Sequence, residues 1–125
     1  MTYDKLDTLR YNMKTTNKGK DFSENVFKIV RLIPKGRVTN YGAIAKALGT
    51  AKSSRLVGWV LKSASLQTPS VPAHRVVNSN GLLTGKNAFA TPTLMQELLE
   101  KEGIEIKKEK VVDFENLFWD PLVEL

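Results

Sequence analysis

Apolar residues recur at helical spacing in the segment between residues 21 and 33. This spacing predicts an amphipathic helix with one buried face, made of Phe22, Val26, Ile29, Val30 and Ile33. Asp21, followed three residues later by Glu24, resembles a capping box and predicts that the helix begins at Asp21. Pro34 and Gly36 follow the apolar stretch and predict its end.

Two shorter amphipathic segments follow and are separated by a tight turn. Thr39 or Asn40 can cap the first helix, and Gly49 suits the left-handed residue that ends it. Ser53 or Ser54 can cap the second helix. The predicted buried positions of the pair are Ile44, Ala45, Leu48, Leu56, Val57, Val60 and Leu61. Two short helices joined in this way predict a helix-turn-helix.

The second half of the chain combines loops with short regular elements. A stretch rich in Pro, Gly, Ser and Asn predicts loops around the apolar pair Val76 and Val77. The next helix is predicted to have Thr91 as its cap, Pro92 in its first turn and Gly103 after its end. The segments IEIK and KVVDF then predict a short β-hairpin.

Apolar residues are also dense in the C-terminal tail, which we expect to dock onto the rest of the domain, with a contact surface as the alternative. These residues are Leu117, Phe118, Trp119, Leu122 and Val123. Both tryptophans, Trp59 and Trp119, are interpreted as core residues. Residues 1–20 are basic and predict a flexible arm, and residues 21–125 predict one domain. The expected fold class is α/β mixed and mostly helical, similar to a winged helix-turn-helix with a small C-terminal β-hairpin.

Composition narrows the possible partners. Apolar residues make up 42% of the chain, which is typical of a globular protein. The net charge of +6 favours a polyanionic partner, of which nucleic acid is the usual example. No apolar stretch approaches the roughly 20 residues that span a bilayer, and the polar N-terminus lacks the apolar segment of a signal peptide. We therefore expect a cytoplasmic protein.

Cysteine is absent, and histidine occurs once. The first fact excludes a disulfide framework, a thiolate zinc site and a cysteine nucleophile. The second excludes a site that binds metal through several histidines. The sequence therefore indicates neither a metal nor another cofactor.

The segment VPAHRVVNSNG carries the most specific pattern. It resembles the Pro-Cys-His-Arg-Val active-site motif of the O6-alkylguanine-DNA alkyltransferases, with Ala73 in place of the cysteine. Three other segments resemble family motifs in the same order, namely IPKGRVTNYGAIAKALG, SSRLVGWVL and LLEKEG. Together they cover about two thirds of the chain. The missing cysteine, with the segments LTGK and LFWDP, is similar to the alkyltransferase-like subgroup.

This resemblance implies how the chain contacts duplex DNA. In the family an arginine of the recognition helix enters the base stack and fills the gap left by a flipped nucleotide, and Arg55 occupies the matching position. A tyrosine that helps to rotate the phosphate matches Tyr41. Ser54 and Ser79 match positions that contact the DNA backbone or groove. Flipping costs a few kcal/mol, and it costs less at a damaged pair.

The resemblance also implies a lesion pocket without a nucleophile. Its expected residues are Tyr41, Pro72, Ala73, His74, Arg75 and Val76. In the family a histidine and a glutamate, matched by His74 and Glu102, activate the acceptor thiol. Because Ala73 has no nucleophilic atom, alkyl transfer by this route is excluded. The implied function is non-enzymatic recognition of O6-alkylguanine in duplex DNA by a monomer, which flags the lesion for nucleotide excision repair.

Several residues also have simpler structural interpretations. His74 can be a structural histidine bonded to Glu102, and Arg75 can pair with a buried carbonyl or carboxylate. The loop that closes over the base in the family is altered here to Lys86, Asn87, Ala88 and Phe89, so contacts from that loop are not carried over.

Two other functions remain open from sequence. A helix-turn-helix regulator would prefer one DNA sequence and ignore damage. A hydrolase that uses His74 and Glu102 would need a nucleophile or metal that the sequence does not contain.

Overall fold

The computed structural model describes residues 18–50 and 53–125, with side chains from residue 21 onward. The predicted N-terminal arm therefore falls almost entirely outside the described residues. The elements, in chain order, are α1 (Lys18–Leu32), β1 (Thr39–Asn40), α2 (Tyr41–Ala47), α3 (Ser54–Leu61), β2 (Val76–Val77), α4 (Leu94–Lys101), β3 (Ile106–Lys107), β4 (Lys110–Val111), α5 (Phe114–Leu117) and α6 (Pro121–Glu124). Short 3-10 turns cover residues 64–66, 73–75 and 86–88.

The buried residues form two core clusters, and helix α1 belongs to the first, together with α2 and α3. The predicted buried face is confirmed, because Phe22, Val26, Ile29, Val30 and Ile33 are all buried. The predicted capping box is wrong. The helix already begins at Lys18, so Asp21 lies in its first turn instead of preceding it. A carboxylate there still interacts favourably with the positive end of the helix dipole.

Helices α2 and α3 form the predicted helix-turn-helix. The side chain of Asn40 accepts a hydrogen bond from the backbone N–H of Ala43 at 2.8 Å, which caps α2. Gly49 follows α2 with φ of +79°, as its predicted role requires. Ser53 precedes α3 without a side-chain capping bond. One predicted core position is wrong, since Leu56 is 47% exposed on the outer side of α3.

A two-residue parallel pair connects the two halves of the domain. Thr39 of β1 lies opposite Val76 of β2, and Asn40 lies opposite Val77. Successive strand residues point to opposite faces. Accordingly, Val76 packs into the cluster of α1, α2 and α3, whereas Val77 packs into a second cluster around α4 and the hairpin. This pairing places the end of β1 and the start of α2 beside residues 73–77.

The C-terminal half contains the predicted helix and hairpin, but the start of α4 differs, and β2, α5 and α6 were not predicted. The residue before α4 is Thr93 and not Thr91, and its side chain makes no capping hydrogen bond. Pro92 therefore precedes the helix, whereas it was predicted to lie in the first turn. The Thr93 hydroxyl donates to the Glu97 carboxylate at 2.8 Å. The predicted hairpin is confirmed, with Ile106 opposite Val111 in antiparallel register. Together with the helix-turn-helix, this hairpin gives the mixed, mostly helical fold expected from sequence.

The C-terminal tail docks through backbone bonds. The Trp119 N–H donates to the Val38 carbonyl at 2.7 Å, and the Arg37 guanidinium donates to the carbonyls of Leu117 and Phe118. Trp119 is buried in the first core cluster, as predicted. Leu122 and Val123 are exposed, so the expectation that the whole tail docks is wrong for these two residues.

None of the described helices combines the length and apolar character needed to cross a bilayer. The described residues also contain no cluster of three or more His, Cys, Asp or Glu side chains placed to hold a metal ion.

Candidate nucleic-acid interface

A cavity of about 640 Å³ opens beside Ala73. Helix α3 lines one side through Arg55, Gly58 and Trp59, together with Lys62, the residue after the helix. Loop 84–89 lines another side. Tyr41, Val76 and Met95 complete the lining from both core clusters. The volume lies within the range of small-molecule sites, which are usually concave and mostly apolar. The parallel pair β1–β2 explains the location, because it brings α2 and residues 73–77 together.

Tyr41 fits closely between α3 and loop 84–89. Its ring lies 3.7 Å from the position that a Cβ on Gly58 would occupy, and its hydroxyl lies only 2.8 Å from the corresponding position on Gly85. Burial raises the pKa of the Tyr41 phenol, and a hydrogen bond with the Thr84 side chain opposes this rise. Because Gly85 has no side chain, the Tyr41 hydroxyl can occupy space that a Cβ at position 85 would crowd.

Charged and aromatic side chains of α3, and of Lys62 after it, line the cavity. Arg55 is exposed in the first turn of α3, and no hydrogen bond or ion pair joins it to another described residue. The prediction that Trp59 is a core residue is wrong, because it is 67% exposed. The Lys62 ammonium lies 4.6 Å from the centroid of the Trp59 ring, which is a cation–π geometry.

A polar network lies next to the cavity and is centred on Glu102. The Glu102 carboxylate binds His74 Nε2 at 2.6 Å, Arg75 Nε at 3.0 Å and the Gly36 N–H at 2.8 Å. Arg75 also donates to the Ile33 carbonyl at 2.9 Å. Both predicted structural pairings, His74 with Glu102 and Arg75 with a carboxylate or carbonyl, are therefore present.

The environment of Glu102 lowers its pKa to about 2. Burial alone would raise this pKa, but hydrogen bonds from Arg75, His74 and the Gly36 backbone outweigh burial. The carboxylate is therefore held in its charged form. Its donors come from the 73–75 turn and from the segment after α1, so the network ties α1, the 73–75 turn and the end of α4 together.

The structure brings only part of the predicted site together. Tyr41, Arg55, Ala73 and Val76 line the cavity. Ser54 is half-buried at the start of α3 and is not part of the lining. The roles assigned to these residues stay predictions.

The other predicted pocket residues, Pro72, His74 and Arg75, are outside this lining, and their assignment to the pocket also stays a prediction. Ser79 is exposed at a separate cavity of about 550 Å³, beside Lys107 and Lys110 of the hairpin.

Sequence reasoning did not place Trp59, Lys62 or Phe89 at the cavity. For Trp59 a signal was present, because it follows Arg55 by four residues in a helix and so shares its face. For Phe89, which belongs to an irregular loop, no periodicity exists to reveal the position.

Residues 21–104 match the family described as "6-O-methylguanine DNA methyltransferase, DNA binding domain". Alkyltransferase-like protein 1 of Schizosaccharomyces pombe is 34% identical over 81% of this chain and 96% of its own length. The DNA base-flipping protein of Escherichia coli is also 34% identical, over 79% of this chain and 74% of its own length.

The fold is similar to that of a protein whose structure was solved in complex with DNA. The crystal structure of S. pombe Atl1 with damaged DNA containing O6-carboxymethylguanine superposes with a TM-score of 0.71 at 33% identity. The match covers 82% of this chain and 97% of Atl1. The chain belongs to the O6-alkylguanine-DNA alkyltransferase family, among its alkyltransferase-like members.

Proposed function

We propose that this chain recognises O6-alkylated guanine in duplex DNA. The damaged nucleotide rotates out of the base stack and enters the cavity beside Ala73. Arg55 enters the stack in its place, and Tyr41 contacts the rotated backbone. The observation that carries the proposal is the position of Arg55 and Tyr41 at the same cavity as Ala73. Similarity to a base-flipping protein and to a protein solved on alkylated DNA supports the same function.

The positive charges at the cavity favour DNA as a partner. Arg55 of α3 and Lys62, the residue after α3, both line the cavity, and neither has a carboxylate partner among the described residues. Unpaired cations next to an open cavity attract phosphates and release counterions when DNA binds. The net charge of +6 acts in the same direction over the whole chain.

We further propose that recognition occurs without alkyl transfer. The chain contains no cysteine, and the Ala73 methyl group offers no electron pair to an alkyl carbon. His74 is bonded to Glu102 and lies outside the cavity lining, where it holds the 73–75 turn. A protein that stays bound without turnover can mark the lesion, and the family resemblance implies that it marks the lesion for nucleotide excision repair.

The first test compares two duplexes that differ only in one O6-methylguanine in place of guanine. At fixed salt we expect at least a tenfold preference for the lesion, or about 1.4 kcal/mol. Mass spectrometry of the recovered duplex should find the methyl group still on the DNA. Equal affinity for the two duplexes would instead favour a helix-turn-helix regulator, and loss of the methyl group would show an enzyme.

Arg55 variants separate insertion into the stack from simple charge attraction. We expect Arg55→Ala to lower the affinity for lesion DNA at least tenfold. Loss of one phosphate contact alone would reduce the slope of log affinity against log salt by about 1. Arg55→Lys keeps the charge and is the matched control, since a phosphate contact would survive this change. Lesion binding by Arg55→Ala equal to that of the unchanged protein would disprove the finger role.

A further inference from the structure

Trp59 is an unusual residue on this surface. It is 67% exposed, and it is the only aromatic side chain in the exposed class among residues 21–50 and 53–125. Tryptophan usually covers most of its large apolar surface. Trp119, in the same chain, is 3% exposed. Since folding leaves the Trp59 indole open to water, packing within the domain does not account for it.

The position of Trp59 ties it to the cavity. It follows Arg55 by four residues on α3, so the two side chains lie on the same face of the helix, and both line the cavity. Lys62 also lines the cavity and holds its ammonium 4.6 Å from the centroid of the indole ring. This contact orients the ring while leaving most of its area exposed.

The surroundings of Trp59 favour an aromatic ligand. Phe89 lines the same cavity from loop 84–89 and Tyr41 lines it from α2, so three separate segments each supply an aromatic ring. Ala73 lines the same cavity as these rings, and its methyl side chain occupies little of that space. Aromatic rings attract a further ring in offset or edge-to-face arrangements, and this attraction adds to that of apolar burial.

We propose that Trp59, oriented by Lys62, is a specificity-determining residue that selects guanines whose O6 substituent is an aromatic ring. This proposal rests on the proposed function, because it assumes that an O6-alkylated guanine occupies the cavity. The ligand class is an O6-arylmethyl guanine, for which O6-benzylguanine is the simplest probe. A methyl substituent is too small to need the indole, so its binding depends on the rest of the cavity.

The test measures the affinity of the whole chain for three duplexes that carry guanine, O6-methylguanine or O6-benzylguanine at one position. Trp59→Leu removes the aromatic ring and keeps an apolar side chain. We expect it to weaken binding of the benzyl duplex about three- to tenfold and to change binding of the methyl duplex less than twofold. Trp59→Phe keeps an aromatic ring and should retain most of the benzyl affinity. Because the side chain is exposed, thermal melting of both variants should match that of the unchanged protein.

Other results would overturn the proposal in distinguishable ways. An equal loss on all three duplexes would show that Trp59 contacts the DNA itself, for example a neighbouring base. No loss on any duplex would show that the indole has no part in binding. In both cases a preference of the unchanged protein for O6-methylguanine over guanine would leave the proposed function intact. Absence of that preference in the unchanged protein would reject the proposed function and this inference together.

Discussion

The two sides of the segment 73–75 differ in how their polar groups are satisfied. On one side, Glu102 accepts hydrogen bonds from His74, Arg75 and the Gly36 N–H, and its side chain is 8% exposed. On the other side, Arg55 is exposed and has no partner among the described residues. The polar groups of a buried network are already hydrogen-bonded to one another, so few of them can bind a ligand. An unpaired cation beside a cavity can still bind one. We infer that the first region maintains the fold and the second binds.

This comparison predicts the largest stability effect at Glu102. Replacing it by Gln removes the charge that Arg75 and His74 share, and leaves the partly buried guanidinium without its carboxylate. Breaking a buried ion pair by removing one partner is strongly destabilising, so we expect a loss of about 3 kcal/mol in the free energy of unfolding. Urea denaturation at neutral pH measures this loss.

The matched control for Glu102 is Glu105→Gln. Glu105 is exposed, and its side chain makes no hydrogen bond or ion pair with another described residue. We expect this variant to change the free energy of unfolding by less than about 0.5 kcal/mol. Equal losses from the two variants would mean that the network contributes nothing beyond the charge itself.

The pH dependence of the Glu102 effect follows from its lowered pKa. The carboxyl titrates near 4.5 when unperturbed and at about 2 in the folded protein. Its stabilising contribution is therefore fully present above the unfolded pKa, and it is lost as the pH falls through the folded pKa. The stability difference between the unchanged protein and Glu102→Gln should shrink as the pH falls from 5 to 2. A difference that stays constant over this window would contradict the assigned pKa.

On the cavity side, Gly85 gives a sharper test of geometry. A Cβ at this position would lie 2.8 Å from the Tyr41 hydroxyl, so Gly85→Ala must displace the tyrosine or the loop. We expect a loss of about 1 kcal/mol in stability and a several-fold loss of lesion affinity. Tyr41→Phe removes the oxygen that clashes. In that background Gly85→Ala should cost clearly less stability, which a double-mutant cycle would detect. Additive losses would show that the two residues do not contact each other.

Sequence patterns predicted most of the longer elements of the fold. They were less accurate for the ends of helices and for which face of a helix is buried. The periodicity of α1 was predicted, and Asn40 was one of the two residues predicted to cap α2, because both features depend on local spacing. The predicted start of α1 was wrong because the helix already includes residues 18–20, upstream of Asp21. Leu56 and Trp59 were assigned to the core because composition does not show which side of α3 meets a neighbouring element.

The candidate site shows the same division between local and tertiary information. The motif around Ala73 and the match to Arg55 named residues that line one cavity in the structure, while their roles stay predictions. The cavity, however, also depends on loop 84–89, whose distance from α3 is set by the hairpin and by the Tyr41 contact. Long-range contacts of this kind leave no periodic signal, so Phe89 emerged only from the structure. Lys62, by contrast, follows Trp59 by three residues and Arg55 by seven, which is helical spacing.

The smallest expected effect concerns how loop 84–89 is held in place. Lys86 forms an ion pair with Glu109 of the hairpin, and both side chains are substantially exposed. Exposed ion pairs contribute little, so Lys86→Met should lower the free energy of unfolding by less than about 0.5 kcal/mol. The nearby backbone bond from the Leu83 N–H to the Glu109 carbonyl, at 2.9 Å, remains in the variant and should keep the loop at the cavity. Lesion affinity should then change less than twofold. A loss of stability above about 1 kcal/mol, and its disappearance at high salt, would show instead that this surface pair holds the cavity wall.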